Sequence, residues 1–536
     1  MKRAAQRARW ESVITERPSA VANRISCMNA ANEFLKVSAD YQLGSLDTEA
    51  QHAFTTSLSQ MAHEDVSEAI KLMHHVDIHA LRQMQAKAAP LADLARAVAA
   101  TFDAGRRVFL CGCGATGRLS LSIEIFCRMG VLPSPDPERV VAFMAGGDLA
   151  LIKAIETFED HPEYGARQLE ELGFVEGDLL IATTEGGETP FVIGATERAA
   201  ELSTNCPWFL YCNPDEQLVK VAARSKQVIE NPAIRKMNLA VGAMAVSGST
   251  RLQASTVLMA AIGFAFMHTR DPENAPLEVL KLISHVVHRD GQFLVPFIEH
   301  EAAVYERGAF VLYESDRFGI TVVTDTTERA PTFSLAAFEK QDDPAAPAAW
   351  CHFLMPEQAE AHSAWKALLH RKPRTLEWPD VKHLAGAEVL ACYDFSAQLP
   401  ARRQIRTHNA EHLPFRIGGG AGEMVWEFDG LRERIDLSNV PEFHAHLLLK
   451  MFMNIHSTLV MGRLGRYLDN LMTYVKPSNN KLIDRAVRYV RLLAQRRTGK
   501  LPDYERVTRV LFEEREKLQP GEPIVLKTLA ALGVAV

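Results

Sequence analysis

The segment at residues 108–126, VFLCGCGATGRLSLSIEIF, constrains the fold more than any other part of the chain. The apolar run from Val108 to Cys111 is typical of a buried strand, and the residues from Thr116 onward predict a helix after a glycine-rich turn. The first N–H groups of a helix are unpaired and partly positive, so this turn favours an anion, and Arg118 adds a fixed cation. A tight turn without a ligand is the alternative, because GxGxxG alone is not specific.

Two later segments repeat this pattern. Residues 178–190, DLLIATTEGGETP, and residues 246–256, VSGSTRLQAST, place Gly, Ser and Thr ahead of a predicted helix. Because the carboxyl ends of parallel strands meet at one edge of a sheet, we predict that the three turns line one crevice. Hydroxyls, backbone amides and two arginines suit a phosphorylated sugar, whereas helix capping is the alternative for each turn taken alone.

The predicted binding residues fall into three groups, which we call the first, second and third turns. They are Gly114, Ala115, Thr116, Gly117 and Arg118 in the first turn, Thr184, Gly186, Gly187 and Thr189 in the second, and Ser247, Ser249, Thr250 and Arg251 in the third.

These motifs resemble those of a known family. GCGATGRLSL is similar to the GAGTSGRL segment of sugar isomerase (SIS) domains of the N-acetylmuramic acid 6-phosphate etherase type. The further matches are FMAGGDLALIKAIETFED at 143–160 to AGGxxAxxxAxEGAED, GETPFVIGA at 187–195 to GRTPYVxGA, SGSTR at 247–251 to TGSTR, and LMTYVKPSNNKL at 471–482 to LMVDVxATNxKL. The resemblance covers residues 50–260 and 445–490.

A domain-sized insertion separates the two resembling stretches. It contains strand-like runs at 309–315, 320–326 and 387–394, followed by the glycine-rich RIGGGAGE at 416–423. Tandem SIS domains with a C-terminal helical part are the arrangement of animal glucokinase regulatory proteins. The chain therefore resembles an etherase in its motifs and that regulator in its architecture.

We predict an α/β protein with two doubly wound, flavodoxin-like parallel-sheet SIS domains and an all-helical C-terminal part. The predicted divisions are a helical segment at 1–50, a first SIS domain with the sugar-phosphate site at 51–285, a second, degenerate SIS domain at 286–440, and a long helix with a helical lid at 441–536. Residues 335–385 are expected to form a surface excursion, and residues 441–475 one long helix with an interruption near Gly462 and Gly465.

Composition excludes several other classes of protein. The net charge of −7 offers no basic surface for nucleic acid. Apolar runs stop well short of the roughly 20 residues that a membrane span needs, and the N-terminus has no apolar core of a secretory signal. Eight cysteines in 536 residues do not suggest a disulfide framework. We expect a cytoplasmic protein with no cofactor and no metal, and with Cys111 and Cys113 packed in a core.

The resemblance implies two acidic groups for an etherase, which removes lactate by means of a base and an acid. One is Glu159, which is followed by Asp160. We expect a helix with Asp148 as its N-cap and with Glu156 one turn before Glu159 on the same face. A solvated acidic helix face is the alternative.

The second acid departs from the family pattern. Its position, counted from GRL, is Phe126, and Glu124 lies two residues earlier, about 200° away on a helix. Glu124 precedes Arg128 by four residues, so a surface ion pair is expected.

Two further carboxylates lie in the second turn. Glu185 and Glu188 stand where the family has small residues and Arg. They would repel phosphate, so they bind sugar hydroxyls or an amine, or else replace the missing acid. The candidate catalytic residues are Glu159, Asp160, Glu124, Glu185 and Glu188.

Two functions from different classes follow from the resemblance. The first is a protein that senses a phosphorylated amino sugar or hexose and presents a surface to a partner such as a sugar kinase. The second is an etherase-like lyase, with a sugar-phosphate isomerase as a further alternative. We expect an internal SIS pseudo-dimer, either monomeric or homodimeric, in which residues 319–333 pack on the first domain and in which Asp325, Thr326, Thr327 and Glu328 mark a lost phosphate turn.

Overall fold

Helices and strands alternate through most of the chain. The computed structural model describes residues 20–41, 43–155, 158–519 and 521–535, so Glu156 and the first 19 residues of the predicted N-terminal helical segment lie outside it. Its described residues form two compact units, a large one at residues 43–472 and a small one from the residues before 43 and after 472.

The elements run as follows. Helices α1 (Ala20–Val37), α2 (Leu58–Glu64), α3 (Val66–Ala86) and α4 (Pro90–Asp103) precede the first sheet. The first sheet and its helices are β1 (Val108–Gly112), α5 (Ala115–Arg128), β2 (Val140–Met144), α6 (Pro162–Glu171), β3 (Leu179–Thr183), α7 (Pro190–Leu202), β4 (Trp208–Tyr211), α8 (Asp215–Val221), α9 (Ala223–Glu230) and β5 (Arg235–Asn238). Helices α10 (Gln253–Met267), α11 (Ala275–Val287) and α12 (Leu294–Glu306) lead to the second sheet.

The second half continues with β6 (Phe310–Glu314), α13 (Gly319–Phe333), β7 (Cys351–Leu354), α14 (Ala361–Leu369), α15 (Lys382–Ala385), α16 (Ala387–Ala391), α17 (Leu399–Arg406), β8 (His412–Gly418), β9 (Glu423–Phe428) and β10 (Leu431–Asp436). Helices α18 (Glu442–Arg463), α19 (Asn480–Thr498), α20 (Tyr504–Arg515) and α21 (Ile524–Ala531) follow.

The first sheet is wholly parallel, with the strand order β2-β1-β3-β4-β5. Val108 of β1 pairs with Val140 on one side and with Leu179 on the other. This is the flavodoxin-like, doubly wound order, and strands β1 to β4 are buried throughout because helices cover both faces. The predicted fold class is confirmed here.

The second sheet is mixed, so the prediction of a second parallel sheet is wrong. Its strand order is β10-β9-β8-β6-β7, and β9 pairs antiparallel with both β8 and β10. The glycine-rich stretch turns the chain directly back from β8 into β9, with Gly419 and Gly422 at positive φ. A short hairpin leaves no room for the helix that a parallel connection requires.

Two runs that we predicted as strands are helical. Residues 320–326 lie within α13, and residues 387–391 form α16. Helix α13 is buried continuously from Gly319 to Arg329, so its sequence shows an unbroken β-branched run rather than an amphipathic period. Short apolar runs of this kind do not distinguish a buried helix from a strand.

Helix α18 lies at the centre of the large unit. Every residue from Phe443 to Gly462 is buried, and the helix packs against α2, α3, α10, α12 and α13. It ends at Arg463, so it is shorter than the predicted helix over 441–475. Gly263 of α10 allows close approach, since a Cβ there would lie 2.0 Å from the ring of Phe443.

The predicted surface excursion is wrong for residues 371–385, which we call the strap. Leu376 and Trp378 of the strap are buried in the hydrophobic core beside the first sheet. Trp378 packs against Tyr164, with ring centroids 5.5 Å apart. The strap therefore belongs to the packing of the first α/β half, although it comes from the second half of the sequence.

The small unit consists of helices. Phe34 of α1 and Phe512 of α20 have ring centroids 6.0 Å apart, and Arg509 donates to Asn32 at 2.8 Å. Helices α19, α20 and α21 pack on one another. The predicted helical C-terminal part is confirmed for the described residues.

Among the described residues, no helix combines the length and the apolar character that crossing a membrane requires.

A buried carboxyl group joins α3 to α10. Asp77 accepts a hydrogen bond from Gln253 Nε2 at 2.7 Å. Burial raises the pKa of Asp77 to about 7, while the hydrogen bond from Gln253 and the charge of Lys450 oppose this shift. The folded protein therefore holds a proton at Asp77 that the unfolded chain releases at lower pH.

We predict that replacing Gly263 with Ala lowers the melting temperature by a few degrees, since overpacking commonly costs about 1–3 kcal/mol. The matched control is Gly319→Ala, where a Cβ would lie 3.6 Å from Phe353 and fits without movement. Thermal unfolding compares the two variants. Equal melting temperatures would contradict the close contact between α10 and α18.

We also predict that Asp77 makes the folded protein less stable as pH rises from about 4 to 7. In this window the unfolded chain has lost the proton and the folded chain keeps it. The free energy of unfolding therefore falls by about 1.4 kcal/mol for each unit by which the two pKa values differ. The Asp77→Asn variant should lose this part of the pH dependence and gain stability relative to wild type at pH 8. Melting curves at pH 5 and 8 test this, and parallel profiles for both proteins would refute it.

Candidate functional site

The first turn follows β1 and opens α5. Gly114 has φ of 56° and occupies the N-cap position. The Thr116 hydroxyl closes the turn, because its Oγ1 lies 3.0 Å from both the N–H and the carbonyl oxygen of Cys113. Gly117 lies against β2, where a Cβ would be 2.6 Å from Met144 Cβ. The turn is thus tightly wound, with the α5 N-terminus at the carboxyl edge of the sheet.

The second turn is stabilised by its own hydroxyls. Thr184 Oγ1 and Thr189 Oγ1 are 2.9 Å apart, and the Gly187 N–H donates to Thr184 Oγ1 at 3.3 Å. The carbonyl of Gly186 accepts from Asn213 Nδ2 at 3.0 Å. These bonds hold the turn open in one conformation without a ligand.

The third turn precedes α10. The Ser247 hydroxyl donates to the carbonyl oxygen of Glu49 at 2.7 Å. Ser249 is buried and Thr250 is half-buried, and within the described part of the chain neither hydroxyl has a hydrogen-bond partner. These two hydroxyls are therefore available to a ligand.

The structure brings the three turns together. Thr183 Oγ1 donates to the carbonyl of Cys111 at 3.1 Å, which joins the ends of β1 and β3. Ser255 Oγ of α10 donates to Glu185 Oε1 at 2.7 Å, which joins the third turn's helix to the second turn. Convergence of the turns at one sheet edge was the central expectation from the sequence.

A small cavity of about 10 Å³ lies where α5 and α10 meet α13 and α18. It is lined by Ala115, Arg118, Leu119, Ser255, Met259, Thr324, Asp325, Glu328, Lys450 and Asn454. Arg118 is 2% exposed and donates from Nε to Leu151 O at 3.0 Å and to Thr327 Oγ1 at 3.2 Å. Its Nη2 has no partner among the described residues, so a buried cationic donor faces this region.

Arg251 has protein partners in place of the predicted phosphate. Its Nη1 pairs with Asp325 Oδ1 at 3.0 Å, and its Nη2 donates to Ser457 Oγ at 3.2 Å and to Thr458 Oγ1 at 3.3 Å. The guanidinium therefore joins the third turn to α13 and α18. A phosphate contact by Arg251 stays a prediction.

Two charged residues at the cavity are not among the predicted binding residues: Lys450 has no sequence signal, and Glu328, predicted to mark a lost phosphate turn, lies within helix α13. Lys450 donates to Arg251 O at 2.8 Å and to Thr256 Oγ1 at 3.0 Å, and burial lowers its pKa to about 8. Burial raises the pKa of Glu328, although the charges of Arg118 and Lys450 oppose this. Both residues lie on buried helices far along the chain from the turns.

Glu124 is held in an ion cluster. Its carboxylate pairs with Arg128 at 3.1 Å, as predicted, but the pair is buried rather than on the surface; it also pairs with Arg371 at 3.0 Å and Arg374 at 2.9 Å from the strap. Burial alone would raise the pKa of Glu124, but the two strap arginines outweigh burial and lower it. Glu124 therefore stays ionised and fully engaged, which leaves little capacity for proton transfer.

The helix predicted from Asp148 to Asp160 is wrong, because the helical turn ends at Leu151. Asp148 does not cap it and instead pairs with Arg371 at 2.5 Å. Glu159 is half-buried and Asp160 exposed in the loop before α6, and the Phe191 N–H donates to the Glu159 carbonyl at 3.1 Å. This bond brings the loop to the start of α7, and a catalytic role for either acid stays a prediction.

The two carboxylates of the second turn each have a partner. Glu185 accepts from Ser255, as described above, and Glu188 Oε2 pairs with Arg224 Nη2 at 2.6 Å. Both glutamates are buried. Arg224 therefore compensates the charge of Glu188, while Glu185 accepts a hydrogen bond from a neutral hydroxyl.

Comparison with known proteins agrees with this geometry. Residues 91–200, which include the first and second turns, match the model described as "Glucokinase regulatory protein N-terminal SIS domain". An N-acetylmuramic acid 6-phosphate etherase of Aliivibrio fischeri strain MJ11 is 31% identical over 189 residues, which are 35% of this chain and 58% of that protein. The etherase of Aeromonas hydrophila is 27% identical over 273 residues, 49% of this chain and 85% of the relative.

The solved structures include tagatose-6-phosphate ketose/aldose isomerase from Escherichia coli. It is 11% identical with a TM-score of 0.36, and the match covers 81% of this chain and all of that one. The chain spans only 58% of the length of the first curated etherases it matches. Over residues 91–200 the chain is therefore similar to the N-terminal SIS domain of glucokinase regulatory protein, and over part of its length it is similar to the N-acetylmuramic acid 6-phosphate etherases.

Proposed function

We propose that this chain binds a sugar phosphate where the three turns meet at the carboxyl edge of the first sheet. The observation that carries the proposal is the unpartnered Nη2 of Arg118, a buried cationic donor beside the N-terminus of α5. A buried donor without a partner costs about 1–3 kcal/mol, and an anion recovers that energy. The names of the two relatives described above, both N-acetylmuramic acid 6-phosphate etherases, support the ligand class.

The side chains that line the crevice suggest where the phosphate and the sugar of the ligand would bind. The α5 N-terminus, Arg118 and the hydroxyls of Ser249 and Thr250 suit the phosphate. Glu328 and Lys450 suit the sugar hydroxyls. The cavity of about 10 Å³ holds about one water molecule, so α13 and α18 must move away from the first turn to admit a sugar.

We favour a sensor in the cytoplasm over an enzyme. Phe126 occupies the second acid's position, and Glu124 is held by three arginines. Ligand-driven movement of α13 and α18 would change the surface that the second α/β half presents. A sugar kinase is the partner class that the regulator-like architecture suggests, and the SIS pair within one chain could act as a monomer or a homodimer.

We predict that N-acetylmuramic acid 6-phosphate or fructose 6-phosphate raises the melting temperature of the wild-type chain, because a ligand that binds only the native state stabilises it. Thr250→Val and Ser249→Ala should reduce this shift without lowering the melting temperature of the free protein, since neither hydroxyl has a protein partner. Arg118→Met should abolish the shift.

Thr498→Val is the control, because its hydroxyl bonds to backbone groups of Ala494 and Lys500, which are not residues of the three turns. Thermal shift assays at equal ligand concentration compare all five proteins. An undiminished shift in Thr250→Val and Arg118→Met would place the ligand elsewhere.

Etherase activity is the second candidate function. Glu328 favours it, because a buried carboxyl with a raised pKa suits a general acid, and Glu159 follows the family motif. The two acids would come from different halves of the chain. This differs from our sequence-based expectation that Glu185 or Glu188 would replace the missing acid.

We predict that the wild-type chain binds N-acetylmuramic acid 6-phosphate without releasing lactate. A coupled lactate assay on purified protein measures this directly. Release that disappears in both Glu159→Gln and Glu328→Gln, and that persists in Glu138→Gln on the surface, would establish the lyase and overturn the sensor.

A further inference from the structure

The second turn has a negatively charged residue where the segment that it resembles has a positively charged one. In that segment, GRTPYVxGA, an arginine precedes the threonine, whereas this chain has Glu188 there. Glu188 is 2% exposed. An ionised carboxylate at so buried a position requires a partner.

Arg224, in the first turn of α9, provides that partner. Its Nη2 lies 2.6 Å from Glu188 Oε2, and its Nε donates to the Glu188 carbonyl at 2.5 Å. The neighbouring Ser225 hydroxyl donates to the carbonyl of Gly187 at 2.8 Å. Two consecutive residues of helix α9, Arg224 and Ser225, therefore bind the second turn.

These bonds fix a guanidinium beside the second turn, whereas the resembling segment carries its arginine within the turn. One arginine contacts both the backbone and the side chain of a single residue, which restricts its orientation strongly. The Arg224 side chain is 23% exposed, so a solute can reach it, whereas the Glu188 side chain is 3% exposed. The exposed member of the pair is thus the cation.

We propose that Arg224 is a ligand-binding residue of the second turn and that Glu188 positions it. Arg224 would bind an anionic group of the sugar phosphate, either the phosphate or a carboxylate substituent. The inference rests on the proposed function and adds a specificity-determining residue outside the three turns. It also explains why a glutamate is tolerated in a turn that faces an anion, since Glu188 acts through Arg224 and does not touch the ligand.

The test is isothermal titration of the full chain with N-acetylmuramic acid 6-phosphate and with N-acetylglucosamine 6-phosphate, which lacks the carboxylate. Arg224→Gln should weaken binding roughly tenfold or more, as expected for loss of a hydrogen bond to a charged group. Arg224→Lys should retain part of the affinity. The control is Arg198→Gln, a half-exposed arginine of α7 paired with Glu170 and Glu201, which should bind as wild type does.

A positioning role for Glu188 requires a separate readout. Glu188→Gln should weaken binding less than Arg224→Gln, and the exchanged pair Glu188→Arg with Arg224→Glu should restore affinity by returning the cation to the turn. A merely structural ion pair would predict equal rescue of stability but no rescue of binding. Melting curves of each variant separate folding from binding, and Arg224→Lys serves if Arg224→Gln does not fold.

The outcomes distinguish the two proposals. Loss of affinity for both sugars assigns Arg224 to the phosphate, and loss for the first alone assigns it to the carboxylate. Wild-type affinity in Arg224→Gln would overturn this inference and leave the proposed function intact. No binding of either sugar by the wild-type protein would overturn both.

Discussion

The buried ion pair between Arg251 and Asp325 is the interaction on which the arrangement of the large unit depends. It joins the third turn of the first α/β half to α13 of the second. Asp325 also pairs with Arg329 at 3.0 Å, and Arg329 pairs with Glu301 at 2.7 Å, so fixed charges run from the crevice into the core beside the second sheet. Removing one member would leave an uncompensated charge in a buried site, commonly at a cost of about 3–5 kcal/mol. The pair therefore joins the two halves at the edge of the crevice.

Buried ion pairs also attach the strap to the first α/β half. Glu124 and Asp148 are buried carboxylates, and the strap arginines, Arg371 and Arg374, compensate their charge. This cluster holds the loop that follows β2, and the loop leads to Glu159. Glu124, a candidate acid, and Asp148, a candidate N-cap, thus serve here to attach the strap to the first α/β half.

Charge compensation also explains the unusual second turn. Glu185 and Glu188 each have a polar partner from a helix outside the turn, from α10 and α9 respectively. Arg118, whose Nη2 has no partner among the described residues, then remains the cation that the proposed function assigns to the phosphate. The chain departs from its relatives in individual residues, while the balance of charge around the turns is maintained by neighbours distant in sequence.

The sequence alone determined the first sheet, its three turns and the helical C-terminal part, because strand, turn and helix signals there are local and regular. It also determined the Glu124–Arg128 pair, which depends on helical spacing alone. Only the tertiary structure decided the ion pairs between Asp325 and Arg251, between Glu124 and the strap arginines, and between Glu188 and Arg224. It also decided that Glu328 and Lys450 line the cavity. These partners lie tens to hundreds of residues apart, and the packing of α13 and α18 brings most of them together. Packing between elements that are distant in sequence leaves no local pattern. A helix buried on all sides lacks an amphipathic period and therefore resembles a strand in the sequence. The side chains that such a helix places at a site are visible only in the folded chain.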